Sequence, residues 1–241
     1  MSDWFDSLDS LNDKMLALVN GVYIGIVTDN KDPEKLGRVK VKIPVIDDQN
    51  SLDWARVATL MAGSGRGTLF VPEVGDEVVV AFQMGDIRMP IVIGALWNKQ
   101  EKPPEGKDDQ NNIRKIRTRL GHEVIFDDTK GNGKLTIKTA EGHQMEIDEK
   151  AATIQLREKS GNNTITIKGG SANEIEIKSG ASKITVNNKG DAELQTAKSV
   201  KIKAAQISIE ASATLDLKAS AALNLKWDGM VTVKGAMVKI N

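Results

Sequence analysis

The chain has 241 residues, room for one or two domains, and its 33 basic and 33 acidic side chains cancel. That balance provides no overall pull towards nucleic acid or an acidic substrate. The absence of cysteine excludes disulfides and thiol chemistry, and an aromatic content of 4% is low for a surface that stacks sugars or bases. No stretch approaches the ~20 apolar residues of a membrane span. The first residues carry acids where a signal peptide needs basic residues and then an apolar run. The expectation is a protein kept in the cytoplasm until a larger particle carries it out, with the Asn162-Asn163-Thr164 sequon there by chance.

Residues 3–20 follow a helical period. Trp4, Leu8, Leu11, Met15 and Leu18 recur at steps of four and three, and Gly21 can end the helix. Residues 1–20 are therefore assigned as an N-terminal docking helix, or a short three-stranded coil on an oligomer axis. Packing on its own domain is the alternative. Asp3, Asp6, Asp9 and Asp13 outweigh Lys14, which argues against a membrane-surface helix.

Residues 21–97 change to five β segments: Val22–Asp29, Leu36–Ile46, Asp53–Met61, Asp76–Met84 and Pro90–Trp97. Alternation is clear in Val22/Ile24/Ile26, Val39/Val41/Ile43 and Val78/Val80/Phe82. Breakers separate the segments: Asp32-Pro33, Asp47-Asp48, the Gly63–Gly67 stretch, and Gly85-Asp86 as a tight hairpin. With no room for more than a short crossover helix, the fold class is mainly β, starting with a small Greek-key barrel of the OB type. The Gly63–Gly67 glycines lack the Gly-Lys-Ser/Thr ending of a phosphate loop and read as barrel loop.

GRVKVKIP at Gly37–Pro44, WARVATLMAGSGRGTLFVPEVGDEVVVAF at Trp54–Phe82, Gly85-Asp86 and PIVIGALWN at Pro90–Asn98 resemble the OB domain of the phage baseplate assembly protein V and VgrG spike family. Arg117–Thr139 resembles the entry into that family's β-helical needle. The resemblance implies a homotrimeric, membrane-piercing central spike of a contractile tail or injection apparatus. With about twenty residues ahead of the barrel, it further implies a separate hub protein that meets Trp4, Leu8, Leu11, Met15 and Leu18. It brings no catalytic residue, because residues 98–116 form a polar linker with paired prolines and no room for a hydrolase. Some of these spikes carry an iron-binding His-x-His tip; VKGAMVKIN here has no histidine, so no metal and no cofactor is expected.

Residues 117–241 read as the needle, with its repeats in 134–241. Pairs of apolar residues flank one polar residue, from Leu135/Ile137 and Met145/Ile147 through Ile154/Leu156, Ile165/Ile167, Ile175/Ile177 and Ile184/Val186. After Ala192/Leu194 come Val200/Ile202, Ile207/Ile209, Leu215/Leu217, Leu223/Leu225, Val231/Val233 and Val238/Ile240. The step is about ten residues early and seven or eight from Ala192 onward. Two apolar side chains per strand cannot stabilise an isolated unit, so the repeats must stack into a shared core. Three chains around one axis enclose that core at every level, which favours a trimeric intertwined β-helix or β-prism. The expected trimer core is Ile165, Ile167, Ile175, Ile177, Val200, Ile202, Ile207, Ile209, Leu215, Leu217, Leu223, Leu225, Val231 and Val233. Outward lysines such as Lys138, Lys168, Lys178 and Lys203 guard against stray pairing. A needle of parallel layers leaves an open edge at its far end. A PAAR-like tip protein is expected to cover it through Met237, Val238, Lys239, Ile240 and Asn241.

Other chemistry is weak. His122 and His143 are isolated in the sequence, whereas a metal needs converging ligands. Asp127 and Asp128 are neighbours on a strand and point to opposite faces, unlike a glycosidase pair. Arg114, Lys115, Arg117 and Arg119 form a basic run read as a solvated or interchain segment. Two rivals remain: a tailspike-like protein that binds or cleaves polysaccharide, and an OB protein that binds single-stranded nucleic acid. The first needs aromatics, and residues 134–241 hold only Trp227; the second needs a free stacking platform.

Overall fold

The computed structural model describes residues 19–106 and 109–240. The helix assigned to residues 1–20, with its Trp4, Leu8, Leu11, Met15 and Leu18 stripe, lies outside the described residues except for its last two positions.

The barrel is built from β1 (Val22–Asp29), β2 (Lys40–Lys42), β3 (Arg56–Val57), β6 (Glu77–Phe82) and β7 (Pro90–Ala95), with a separate hairpin of β4 (Ala62–Gly63) and β5 (Arg66–Gly67). The sheet order is β2-β1-β6-β7-β3, antiparallel throughout except for the parallel pair of β3 with β7. Two hydrogen bonds close the ring: Val39 N–H donates to Ala55 O at 3.0 Å, and Ala55 N–H returns to Val39 O at 2.8 Å. Val27, Val39, Val41, Val78, Val80 and Val92 fill the interior at 0–1% exposure. The five observed strands fall inside the five expected segments, and the barrel is of the OB type.

The alternation of β1 faces outward at Val22 and Ile24. On β1 it is Gly25 and Val27 that are buried, whereas Val22 is 63% and Ile24 54% exposed. The inner position is glycine because a Cβ there would lie 3.1 Å from Val80 Cγ2 and 3.2 Å from Lys42 O. The barrel wall is too close for a side chain, so the strand turns its larger residues out. The Gly85-Asp86 hairpin differs from expectation. A 3-10 turn at Gln83–Gly85, with Met84 and Gly85 at positive φ, makes a longer connection to Pro90. Asp86 holds it by accepting from Arg88 N–H, Nε and Nη2 at 2.7–3.0 Å.

The second sheet comprises β8 (Ile113–Arg117), β9 (Glu123–Asp127), β10 (Lys134–Lys138), β11 (Gln144–Asp148), β12 (Thr153–Arg157), β13 (Asn163–Lys168), β14 (Glu174–Ser179), β15 (Ser182–Asn187) and β16 (Ala192–Gln195). They pair in strict sequence order, so the sheet starts at Ile113, within the stretch read as linker. Every neighbouring pair is antiparallel, which corrects the expectation of parallel layers. A ten-residue step suffices for one strand and one turn, and so returns the chain beside itself. Nine strands spaced ~4.8 Å apart span about 38 Å. Pairing ends at Gln195, where the step shortens, and residues 197–240 carry no described strand and are exposed throughout.

Gly25→Val is expected to overpack the barrel and cost about 1–3 kcal/mol. The check is the midpoint of denaturant unfolding followed by Trp fluorescence.

Candidate interaction surface

The register of the second sheet aligns its apolar pairs into two columns on one face. The first runs Phe126, Leu135, Ile147, Ile154, Ile167, Ile175, Val186, Ala192; the second runs Val124, Ile137, Met145, Leu156, Ile165, Ile177, Ile184, Leu194. Between Ile154 and Val186 these side chains are 41–47% exposed. A shallow cleft of about 600 Å³ opens on this face between Met145, Leu156, Ile165 and Ile177. Each isoleucine leaves about 80 Å² in water, so covering it is worth about 2 kcal/mol at ~25 cal/mol/Å².

The opposite face covers itself. Lys134 pairs with Asp148 at 2.6 Å, Lys168 with Glu174 at 2.5 Å and Glu176 at 3.4 Å, and Arg157 Nη2 donates to Gln144 Oε1 at 2.7 Å. Hydrogen bonding to these lysines holds the Asp148 and Glu174 carboxyls below their ordinary range and raises Lys134 and Lys168. Beneath the long side chains Thr166 is 5% exposed. Polar side chains thus shield the polar face while the greasy face stays bare.

The structure brings four expected trimer-core residues together, Ile165, Ile167, Ile175 and Ile177, two in each column. Val200, Ile202, Ile207, Ile209, Leu215, Leu217, Leu223, Leu225, Val231 and Val233 are exposed and carry no described partner strand. Met237, Val238, Lys239 and Ile240 are exposed, and Asn241 is outside the described residues. The barrel adds an apolar patch that the alternation did not reveal: Val22, Ile24 and Ile93 lie outward and exposed on the adjacent strands β1, β6 and β7 with half-buried Val79 and Ile91.

Residues 23–97 match the family described as the type VI secretion system/phage-baseplate injector OB domain. The barrel is an injector OB domain. Parts of the chain are also similar to spike proteins of type VI secretion systems. VgrG1b of Pseudomonas aeruginosa is 28% identical over 149 residues, 55% of this chain and 20% of the relative. VgrG3 of Vibrio cholerae is 31% identical over 113 residues, 43% of this chain and 11% of the relative. VgrG1a of Pseudomonas aeruginosa is 28% identical over 155 residues, 58% of this chain and 24% of the relative. The chain is VgrG-like, and it spans no more than a quarter of the length of these relatives.

The other candidate residues have structural partners. Arg114 pairs with Asp128 at 2.8 Å, Lys115 with Glu105 at 2.5 Å, Arg117 with Glu123 at 3.6 Å, and Arg119 with Glu73 at 3.0 Å. The basic run is therefore neutralised, and its last member ties the injector OB domain to the base of the sheet. Asp127 accepts from Thr129 N–H and Oγ1, so the two aspartates are not a pair facing one substrate. His122 and His143 occupy equivalent positions in two successive same-edge turns, Thr118–His122 and Thr139–His143. In each, the histidine N–H donates to the threonine hydroxyl at 3.0–3.1 Å, and Gly121 or Gly142 takes positive φ. Nδ1 of His122 accepts from Ala140 N–H at 3.2 Å. Among the aromatics, Phe82 is buried with Tyr23 edge-on at 5.7 Å, and Trp54 lies under Arg38 and Lys40. No helix among the described residues is long and apolar enough to cross a membrane.

The next turn on that edge is clamped by Glu158, which accepts from Ser160 Oγ and from the N–H groups of Ser160, Asn162 and Asn163 at 2.7–3.2 Å. These bonds, the Ser160 hydroxyl first, pull its pKa down from 4.5 to about 2. A depressed carboxyl stabilises the fold above its unfolded pKa, and that contribution is lost as pH falls through the folded value. Carbon NMR of the Glu158 carboxyl is expected to titrate near 2 in the folded protein and to move up towards 4.5 in Ser160→Ala.

Proposed function

We propose that this chain is one of three subunits of a central spike in a contractile injection apparatus. Its role is mechanical, not enzymatic: a stiff needle concentrates sheath force on a small tip and pierces the target membrane, after assembly in the cytoplasm. The observation that carries this reading is the pair of continuous, half-exposed Ile/Leu columns on a sheet that follows an injector OB domain. A β-sheet with one apolar face needs a second layer. Three such faces turned inward supply it for one another, and the closed arrangement leaves charged faces outside. The outward Val22/Ile24/Ile93 patch supports a matching interchain contact at the barrel.

In this reading residues 197–240, whose apolar pairs find no partner strand in one chain, continue the needle by pairing between chains. A separate hub meets Trp4, Leu8, Leu11, Met15 and Leu18, and a PAAR-like tip protein meets Met237, Val238, Lys239, Ile240 and Asn241 at the other end. The domains in this reading are 1–20, 21–97, a linker from 98 and the needle to 241, with the linker expected over 98–116 cut short because β8 begins at Ile113.

Sedimentation equilibrium is expected to return three times the 26.1 kDa chain mass. The double substitution Ile165→Asp with Ile177→Asp places charge in the second column and is expected to shift the population to single chains while the barrel stays folded. A stable single-chain particle from the unmodified protein would sink the reading. Deleting residues 231–241 is expected to abolish capture of a PAAR-like tip protein and leave the mass at three chains.

A further inference from the structure

The shielding of the second sheet's polar face stops short of one border. There the register sets Lys138, Gln144, Arg157, Thr164, Lys178 and Lys183 side by side in one column across strands β10 to β15. The column holds four cations and no carboxylate. At ~4.8 Å per strand it is about 24 Å long, and Lys138, Arg157 and Lys178 stand on alternate strands about 10 Å apart. These three are exposed and Lys183 is half-buried.

Arg157 donates only to the neutral Gln144 Oε1, at 2.7 Å, and Lys138 and Lys178 form no ion pair among the described residues. Lys183 acts on Glu174 through charge alone, and that carboxylate is bonded to Lys168 at 2.5 Å. The other carboxylates of the neighbouring strands and turns are engaged elsewhere. Glu141 takes Lys159 at 3.2 Å, Glu146 takes Gln144 Nε2 at 2.8 Å, Glu176 takes Lys168 at 3.4 Å, and Glu158 is filled by the donors of its own turn. Lys178 also lies directly opposite Lys183, and like charges in that position work against the sheet. Among the described residues no carboxylate bridges the two, so an anion from outside relieves them.

The row calls for anions arranged in a line. Between its charges stand an amide, Gln144, and a hydroxyl, Thr164, which suit a chain rich in hydroxyl groups. Stacking is not offered: Phe126 is the single aromatic in residues 113–195, and it lies on the apolar face. A single-stranded nucleic acid, held by aromatic platforms as well as charge, is therefore the poorer fit. A lipid surface presents a plane of charge, whereas these cations are confined to one border. We propose that this column binds an acidic polysaccharide, whose carboxylate or sulfate groups accept hydrogen bonds from Lys138, Arg157, Lys178 and Lys183 in succession. Recognition by charge dispenses with the aromatics that a neutral glycan needs. The apolar face takes no part, so the proposal stands without the spike reading. On a spike it gives the side of the shaft a contact with charged glycans of a target surface.

The test uses the intact chain and a fluorescein-labelled oligogalacturonate, followed by anisotropy at low salt. Saturable binding is expected, weakened at least tenfold at 0.5 M salt, where exposed charges are screened. The fully methyl-esterified oligomer keeps the sugar chain, loses its charge and is expected not to bind; this arm leaves the protein untouched. Lys178→Gln with Lys183→Gln is expected to weaken binding at least tenfold. Lys130→Gln with Lys150→Gln removes the same charge from exposed turns at the opposite edge of the sheet and is expected to leave binding unchanged. No binding, equal binding of the methyl ester, or an equal loss in the two double variants would overturn the proposal. So would tighter binding of oligothymidylate or of phosphatidylglycerol vesicles than of the oligogalacturonate.

Discussion

The structure turns on an imbalance between the two faces of one sheet. Eight of the nine antiparallel strands, β9 to β16, place sixteen positions in two columns on the same side, nearly all of them Ile, Leu, Val, Met or Phe. The other side shields itself with Lys–Asp and Lys–Glu pairs. Part-buried ion pairs on a sheet face, as these are, contribute only modestly to stability individually. Burial of each apolar side chain is worth about 2 kcal/mol. The apolar face therefore dominates the energetics, and the way it is covered decides what the molecule is.

The injector OB domain supplies a contrast. It closes on itself through the Val39–Ala55 bridge and fills its small interior with valines, so its fold is complete within one chain. The Arg119–Glu73 pair connects this self-sufficient body to a sheet that is not self-sufficient. A closed barrel is thus followed by a sheet whose apolar face has no cover among the described residues. The turns follow the same economy. Thr118–His122 and Thr139–His143 repeat one hydrogen-bond pattern, and their histidines are turn residues with bonded backbones.

Much of this was legible in the residues. Period-two alternation and the breakers at Asp32-Pro33, Asp47-Asp48 and Gly63–Gly67 located the barrel strands, and the spacing of Leu135/Ile137 to Ile184/Val186 located the sheet. The inward face of β1 was not legible. Both parities of that strand carry apolar residues, and only the approach of Val80 and Lys42 at Gly25 selects one. Strand direction was hidden as well, because alternation is the same read in either sense. The ion-pair partners of Arg114, Lys115 and Arg119 lie 14, 10 and 46 residues away, beyond any local pattern.

The sequence by itself determined that residues 134–195 form a string of two-toothed strands, since side-chain parity is a local property of an extended backbone. Tertiary structure alone decided that successive strands run antiparallel, that their teeth align into two columns, and that this order stops at Gln195. Those outcomes depend on register between strands and on turn length, which set where each tooth sits relative to its neighbours.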